Sequence, residues 1–201
     1  MLLVCGLPGA GKSTLLKGWL AERPDTERWA LMVNGIAGLT DADRDPGVTV
    51  AMLTGGCACC SGQVVFGVTL TRLLRGGPFQ RLLIEVSGIG HPGRLVDRLL
   101  IPELAPHLSI RPTVMVIDAT RPDPFFDEHH PAHPLALDQL DSARLLVINR
   151  ADAVTPEAER ALCERLTSLS GRAPVLLSSR QGAVTLAATL AALAVVVSTP
   201  R

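Results

Sequence analysis

GLPGAGKS, residues 6–13, decides how this chain is read. It follows the apolar run LLVC (2–5) and opens a segment, 13–22, with helical spacing. Gly6, Gly9 and Gly11 let the backbone curl so that successive N–H groups point at one anion. A helix starting near Ser13 adds the positive end of its dipole. The pattern G-x-x-x-x-G-K-[ST] between a strand and a helix is a phosphate-binding loop. Gly9, Ala10, Gly11, Lys12, Ser13 and Thr14 are therefore assigned to a nucleotide's phosphates. Lys12 reaches the β and γ phosphates, and the Ser13 hydroxyl ligates Mg²⁺.

Outward from this loop, apolar runs alternate with helical patterns. The runs 2–5, 29–34, 49–53, 81–86, 113–118, 144–149 and 173–178 read as strands. Several are apolar on both faces, as strands buried beneath helices are. Helices are expected at 13–22, 62–75, 93–100, 134–142, 156–169 and 183–193. The alternation predicts an α/β P-loop NTPase fold, with a mostly parallel central sheet flanked by helices on both faces. The Pro- and His-rich stretch 119–134 reads as a surface loop. LAATLAALAVVV (186–197) reads as a helix running into a strand.

Composition bounds the rest. A chain of 201 residues with 47% hydrophobic and 19% charged content forms one globular domain, 1–201. A net charge of +0 and 3% aromatic content argue against a nucleic-acid partner. The apolar stretch 186–197 is shorter than the roughly 20 residues that span a bilayer, so no membrane association is expected. Met1 leads straight into LLVC without a basic flank, which is unlike a secretory signal. Five cysteines, an odd number, do not suggest a disulfide framework. A cytoplasmic location is expected.

Two further strand ends complete a nucleotide site. LLIEVSG (82–88) places Glu85 at a strand end and Gly88 in the turn after it. Glu85 is suited to holding Mg²⁺ through water or orienting an attacking water, and the Gly88 N–H to touching the γ-phosphate. The competing reading is a buried glutamate paired with an arginine. Acidic residues are almost never buried unpaired, and ligands bind at the carboxyl ends of such strands. RLLVINRAD (144–152) ends in Asn149, Arg150 and Asp152. A carboxylate accepts from guanine N1–H and the exocyclic amine, two donors adenine lacks on that edge, so Asp152 selects guanine. Asn149 holds the loop or base N7, and Arg150 stacks on the ring.

Three of the five cysteines crowd into GGCACCSG, 55–62. Thiolate is the metal-binding form, and sulfur ligands select Zn²⁺ or Cu(I). Cys57, Cys59 and Cys60 on one loop leave a ligand position open, as suits a site that releases its metal. Redox sensing by vicinal thiols and plain burial of small side chains are the alternatives.

GLPGAGKST, GGCACC, EVSGIGHP and NRAD, in this order, resemble the CobW-like metallochaperone GTPases. The likeness runs over essentially the whole chain. It implies a SIMIBI-class G domain that binds GTP, Mg²⁺ and a transition metal, zinc or cobalt. It implies that GTP hydrolysis is slow and controls metal transfer to a client metalloprotein or metal-inserting enzyme. Relatives of this class dimerise across the nucleotide face, so a homodimer is one expected assembly. The chain departs from the family at three places. Arg150 stands where the guanine motif usually has lysine. Asn34-Gly35-Ile36-Ala37 lacks the usual acidic residue of the first switch, with Asp41 and Asp43 nearby. The usual C-terminal domain is not expected before the chain ends at Arg201. HHPAH (129–133) is expected to be a solvated loop, with an accessory metal site as the alternative. A small-molecule kinase and a non-catalytic metal sensor with a structural nucleotide are the rival functions; the kinase would not explain the cysteines or Asn149 and Asp152.

Overall fold

The computed structural model describes residues 1–33, 45–53, 62–170, 174–179 and 184–198. Seven strands form one sheet: β1 (Leu2–Cys5), β2 (Trp29–Val33), β3 (Val48–Met52), β4 (Arg81–Glu85), β5 (Thr113–Asp118), β6 (Ala143–Asn149) and β7 (Val175–Ser178). Their order is β3-β2-β4-β1-β5-β6-β7, and every pairing is parallel. Seven α-helices connect them among the described residues: α1 (Lys12–Ala21), α2 (Gln63–Arg75), α3 (Pro92–Leu99), α4 (Asp123–Phe126), α5 (His133–Ser142), α6 (Pro156–Leu169) and α7 (Leu186–Ser198).

Side-chain alternation divides the core between the two faces. Leu3 and Cys5 of β1 join Phe66 of α2, Leu95 of α3, Ala136 of α5 and Leu162 of α6 on one side. Leu2 and Val4 join Leu15, Leu16 and Trp19 of α1 and Leu193 of α7 on the other. Both faces are covered, which is why β1, β2 and β5 read as unbroken apolar runs. The Trp19 indole N–H donates to Val184 O at 2.9 Å and locks α1 to the start of α7.

Strand β1 lies at the turning point of the topology. The chain builds β2, β3 and β4 to one side of it and β5, β6 and β7 to the other. Such a reversal opens a crevice at the carboxyl ends of the strands, and the phosphate loop leaves β1 at that point.

Two expectations give way. The stretch 186–197 is helical throughout, within α7. Leu186, Thr189 and Leu193 are buried while Ala187 and Ala188 are exposed. That is a period near 3.6, not the period of two a strand needs. The loop expected at 119–134 contains α4 and the first two residues of α5. Phe125, 2% exposed, anchors α4 in the core, and the Arg165 guanidinium lies 3.6 Å from the Phe126 ring centroid. No helix among the described residues is long and apolar enough to cross a membrane.

Candidate nucleotide and cation site

The phosphate loop holds its shape through glycines at places where a side chain cannot go. Gly6 has φ +140, and a Cβ there would lie 2.3 Å from Val116 O. Gly11 caps α1 with φ +104, and its Cβ would meet Asn149 Nδ2 at 2.2 Å. Asn149 uses that amide to donate to Ala10 O at 2.9 Å. This contact holds the loop, one of the two roles expected for Asn149. Gly11→Ala is therefore expected to destabilise the fold by about 2–3 kcal/mol, through left-handed strain and the lost Asn149 hydrogen bond. Urea unfolding of the two proteins checks this; an unchanged midpoint would mean that the loop tolerates a side chain there.

Lys12 is buried and folds back onto its own loop, donating to Gly6 O at 2.9 Å and Leu7 O at 3.2 Å. Burial lowers its pKa, and the charge of Glu85 opposes that. The Lys12 ammonium is thus held by the carbonyls of its own loop. Thr14 is exposed at the start of α1.

Glu85 ends β4 in register with Val4, beside the loop that β1 feeds. Its Oε1 accepts from Ser13 Oγ at 2.9 Å, so the competing pairing with an arginine is not what the structure shows. The other oxygen, Oε2, is buried without a partner among the described residues. Burial pushes the Glu85 carboxyl above the ordinary glutamate value; the Ser13 hydrogen bond and the Lys12 charge pull the other way. A hydroxyl and a carboxylate at contact, with one carboxylate oxygen unsatisfied, are hard oxygen donors that fit Mg²⁺.

The turn after β4 presses on the same loop. A Cβ on Gly88 would lie 2.8 Å from Pro8 N. Gln139 of α5, fully buried, holds this turn by donating from Nε2 to Gly88 O at 3.2 Å and Gly90 O at 2.9 Å. His91 Nδ1 lies 2.9 Å from Asp138 Oδ2 on the same helix.

Beyond Asn149 the backbone turns left-handed at Arg150, φ 57, into a 3-10 turn over Ala151–Ala153 that carries Asp152. Ala151 N–H donates to Ser179 O at 3.1 Å, and Ser179 N–H to Ile148 O at 2.8 Å, so the ends of β6 and β7 are tied together. The Arg150 guanidinium is held by two partners. Its Nη1 donates to Asp118, and its Nη2 to Gly9 O at 3.2 Å.

Three residues of this site escaped the reading of the sequence. Asp118, 5% exposed, accepts from Thr120 N–H at 3.0 Å, Thr120 Oγ1 at 2.7 Å and Arg121 Nε at 2.9 Å besides Arg150. Burial alone would raise its pKa, but the Thr120 and Arg121 hydrogen bonds and the Arg150 charge hold it below the usual carboxylate range. Its signal was the one that marked Glu85: an acid ending an apolar strand. Gln139 is the polar residue inside the apolar stripe of α5. Ser179 is 1% exposed and its Oγ has no partner among the described residues, at the rim next to Asp152's turn. A cavity of about 260 Å³ opens beside the phosphate loop, between Pro8, Asp118 and Arg121 on one side and Phe125 and His130 on the other.

Cys57, Cys59 and Cys60, with Asn34 to Ala37, Asp41 and Asp43, lie outside the described residues. Among the described residues no group of three or more His, Cys, Asp or Glu is placed to hold a metal ion. In HHPAH, His130 Nδ1 accepts from Ala132 N–H at 3.0 Å, His133 Nδ1 lies 3.0 Å from Pro124 O, and His129 Nδ1 lies 3.6 Å from Asp127 Oδ1.

An all-parallel sheet with this loop leaving its central strand defines a P-loop nucleotide-binding domain. Residues 1–177 match the family model for the CobW/HypB/UreG nucleotide-binding domain, and the chain belongs to that family. It is 36% identical over 187 residues to the zinc chaperone YeiR of Escherichia coli, covering 90% of this chain and 55% of that protein. It is 31% identical over 187 residues to the zinc chaperone CobW of Pseudomonas aeruginosa, covering 78% and 50%. The chain thus spans about half the length of these curated relatives. Among solved structures, Zn(II)-bound YjiA GTPase from E. coli superposes with a TM-score of 0.67 at 23% identity, over 92% of this chain and 59% of that one. HypB from Helicobacter pylori, in complex with nickel, gives 0.58 at 19% identity, over 97% and 82%. At these identities the likeness to the two structures is one of fold.

Proposed function

We propose that this domain binds GTP and Mg²⁺, hydrolyses GTP slowly, and uses the nucleotide state to load and release zinc on Cys57, Cys59 and Cys60 for a client metalloprotein. The observation that carries the reading is the position of Cys-Ala-Cys-Cys in the chain. It lies between β3 and α2 of a nucleotide-binding domain, so only α2 and β4 separate the thiols in sequence from Glu85. The relatives named as zinc chaperones support zinc as the cargo, with cobalt as the other candidate.

The geometry supports the following roles. Lys12 exchanges two backbone carbonyls for phosphate oxygens, and the buried ammonium then faces charge it can stabilise. Ser13 Oγ and Glu85 would hold Mg²⁺, which when bound neutralises phosphate charge. Glu85 also orients the attacking water. Gly88, against Pro8, offers its N–H to the γ-phosphate, and Gln139 fixes the turn that carries it. Asn149 keeps the loop curled, Arg150 braces it through Asp118, and Asp152 reads guanine. Binding of the γ-phosphate orders one arrangement of these loops and hydrolysis releases it. A client metalloprotein, rather than nucleic acid or membrane, is the proposed partner. The small-molecule kinase alternative draws no support from the family.

A competitive zinc titration against a chromophoric chelator tests the coupling. A non-hydrolysable GTP analogue with Mg²⁺ is expected to tighten zinc binding about tenfold, roughly 1.4 kcal/mol. The Cys57/Cys59/Cys60→Ala variant is expected to lose it. Zinc affinity indifferent to the nucleotide would reduce the cysteines to structural or redox groups.

A further inference from the structure

Helix α2 carries two stripes. Phe66, Leu70 and Leu73 face the core. The other stripe, Val64, Val68, Arg72 and Arg75, recurs at helical spacing and is exposed, with Val64 at 76% and Val68 at 46%. Leaving valines on the outer face has no stabilising effect on the fold, and charged residues usually take such positions.

This outer stripe forms one wall of a groove of about 490 Å³. Arg98 of α3 and Ile101, Glu103 and Leu104 after it form the other wall. Gly67 forms part of the lining, in mid-helix, where glycine costs about 1 kcal/mol relative to alanine. Arg98 Nη2 lies 3.9 Å from the place a Gly67 Cβ would occupy. A larger side chain at 67 would therefore narrow the groove, and its absence keeps the groove open.

The charge of the groove is lopsided. Arg72, Arg75 and Arg98 face it against Glu103 alone, on a chain whose net charge is +0. None of the three arginines is paired with a carboxylate among the described residues. The apolar end begins four residues after Cys60, and the basic end is 11 residues further along the helix. At a rise of 1.5 Å per residue that is about 16 Å, the span of about five extended residues.

We propose that this groove docks a short segment of a partner protein in which apolar residues are followed by acidic ones. The valines take the apolar part and the arginines the carboxylates. A second copy of this chain fits the groove poorly, because pairing two such grooves would bring six arginines together with only two glutamates. That the partner is the recipient of the metal rests on the function proposed above; the preference for an acidic, apolar segment does not.

Fluorescence anisotropy with the whole chain tests this. The probe is a fluorescein-labelled hexapeptide of two leucines followed by four glutamates; its counterpart has lysines in place of the glutamates. The acidic peptide is expected to bind at least about tenfold more tightly than the basic one. Arg72→Glu with Arg75→Glu should reverse that order, and Gly67→Leu should weaken both peptides. Circular dichroism and retained nucleotide binding certify that the variants are folded. No binding of the acidic peptide at about 1 mM, or a preference that survives the charge reversal, overturns the proposal. Sedimentation showing a dimer that the reversal dissolves would assign the face to a second copy and also overturn it. So would a longer polypeptide carrying this domain that refuses the peptide this chain accepts. The zinc titration separates the two readings. Nucleotide-coupled zinc binding with no peptide binding sinks this proposal alone. Peptide binding without coupling leaves the groove standing and removes the metal recipient as its occupant.

Discussion

Glu85→Gln is expected to lower GTP turnover by about 10²–10³, the effect of removing one charge-stabilising group from a preorganised site. The substitution keeps the shape of the side chain and an oxygen that can accept from Ser13 Oγ. It removes the charge that makes the unpartnered Oε2 a cation ligand. Mg²⁺ dependence should therefore go with the turnover. The pH profile provides a second readout. Burial raises the Glu85 pKa above the ordinary 4.5, and only the carboxylate form binds the cation. Protonation competes with Mg²⁺, so Mg²⁺-dependent nucleotide binding in the unaltered chain is lost as the pH falls, and the raised Glu85 pKa places that loss at higher pH than an ordinary glutamate would. In Glu85→Gln that pH dependence disappears along with the Mg²⁺ effect. Phosphate release and fluorescent-nucleotide titrations at several pH values check both. A variant that still turns over GTP with the same Mg²⁺ requirement would make Glu85 a buried structural acid.

The fold was legible because its signals are local and strong. Glycine spacing in 6–13, apolar strand runs and helical periods each specify a backbone state without help from distant residues. All seven expected strands and their parallel pairing appear. The two misread stretches needed tertiary information. The sequence of 186–197 is so uniformly apolar that either period fits it, and the docking of Leu186, Thr189 and Leu193 on the sheet selects the helix. In 119–134 the prolines mark turns, while burial of Phe125 supplies the energy for a short helix between them. At the site, Lys12, Ser13, Glu85 and Asn149 were found from motif and strand end, and the structure gathers them around one loop. Gln139 and Ser179 were missed because their roles are contacts with backbone from other elements, which spacing does not encode. The contact of Arg150 with Asp118, 32 positions earlier, is likewise one that spacing does not encode.

That brace bears on nucleotide choice, and Asp152→Asn is the direct test. Ala151 is fully buried and tied to Ser179 O, while Arg150 is fixed to Asp118 and Gly9 O. The turn bearing Asp152 is therefore set on both sides before any base arrives. A carboxylate there accepts from guanine N1–H and its exocyclic amine. In asparagine one oxygen becomes an NH₂ group, so a donor confronts the guanine amine and a hydrogen bond is replaced by a repulsion. A site built for hydrogen bonds rejects a mismatched partner by about 10⁴ or more, and exposure of Asp152 to water reduces that here to about 10³ for GTP. Xanthine carries a carbonyl where guanine has the amine, so the new NH₂ finds an acceptor. Xanthosine triphosphate is expected to bind Asp152→Asn within about tenfold of the affinity GTP has for the unaltered chain. Competition against a fluorescent nucleotide measures all four combinations. Because Ala151 and Arg150 brace the turn on both sides, fold and phosphate binding should survive the change, and the loss should appear as an exchange of bases. If GTP binding falls without a matching gain for the xanthine nucleotide, Asp152 supports the loop and the base is read elsewhere.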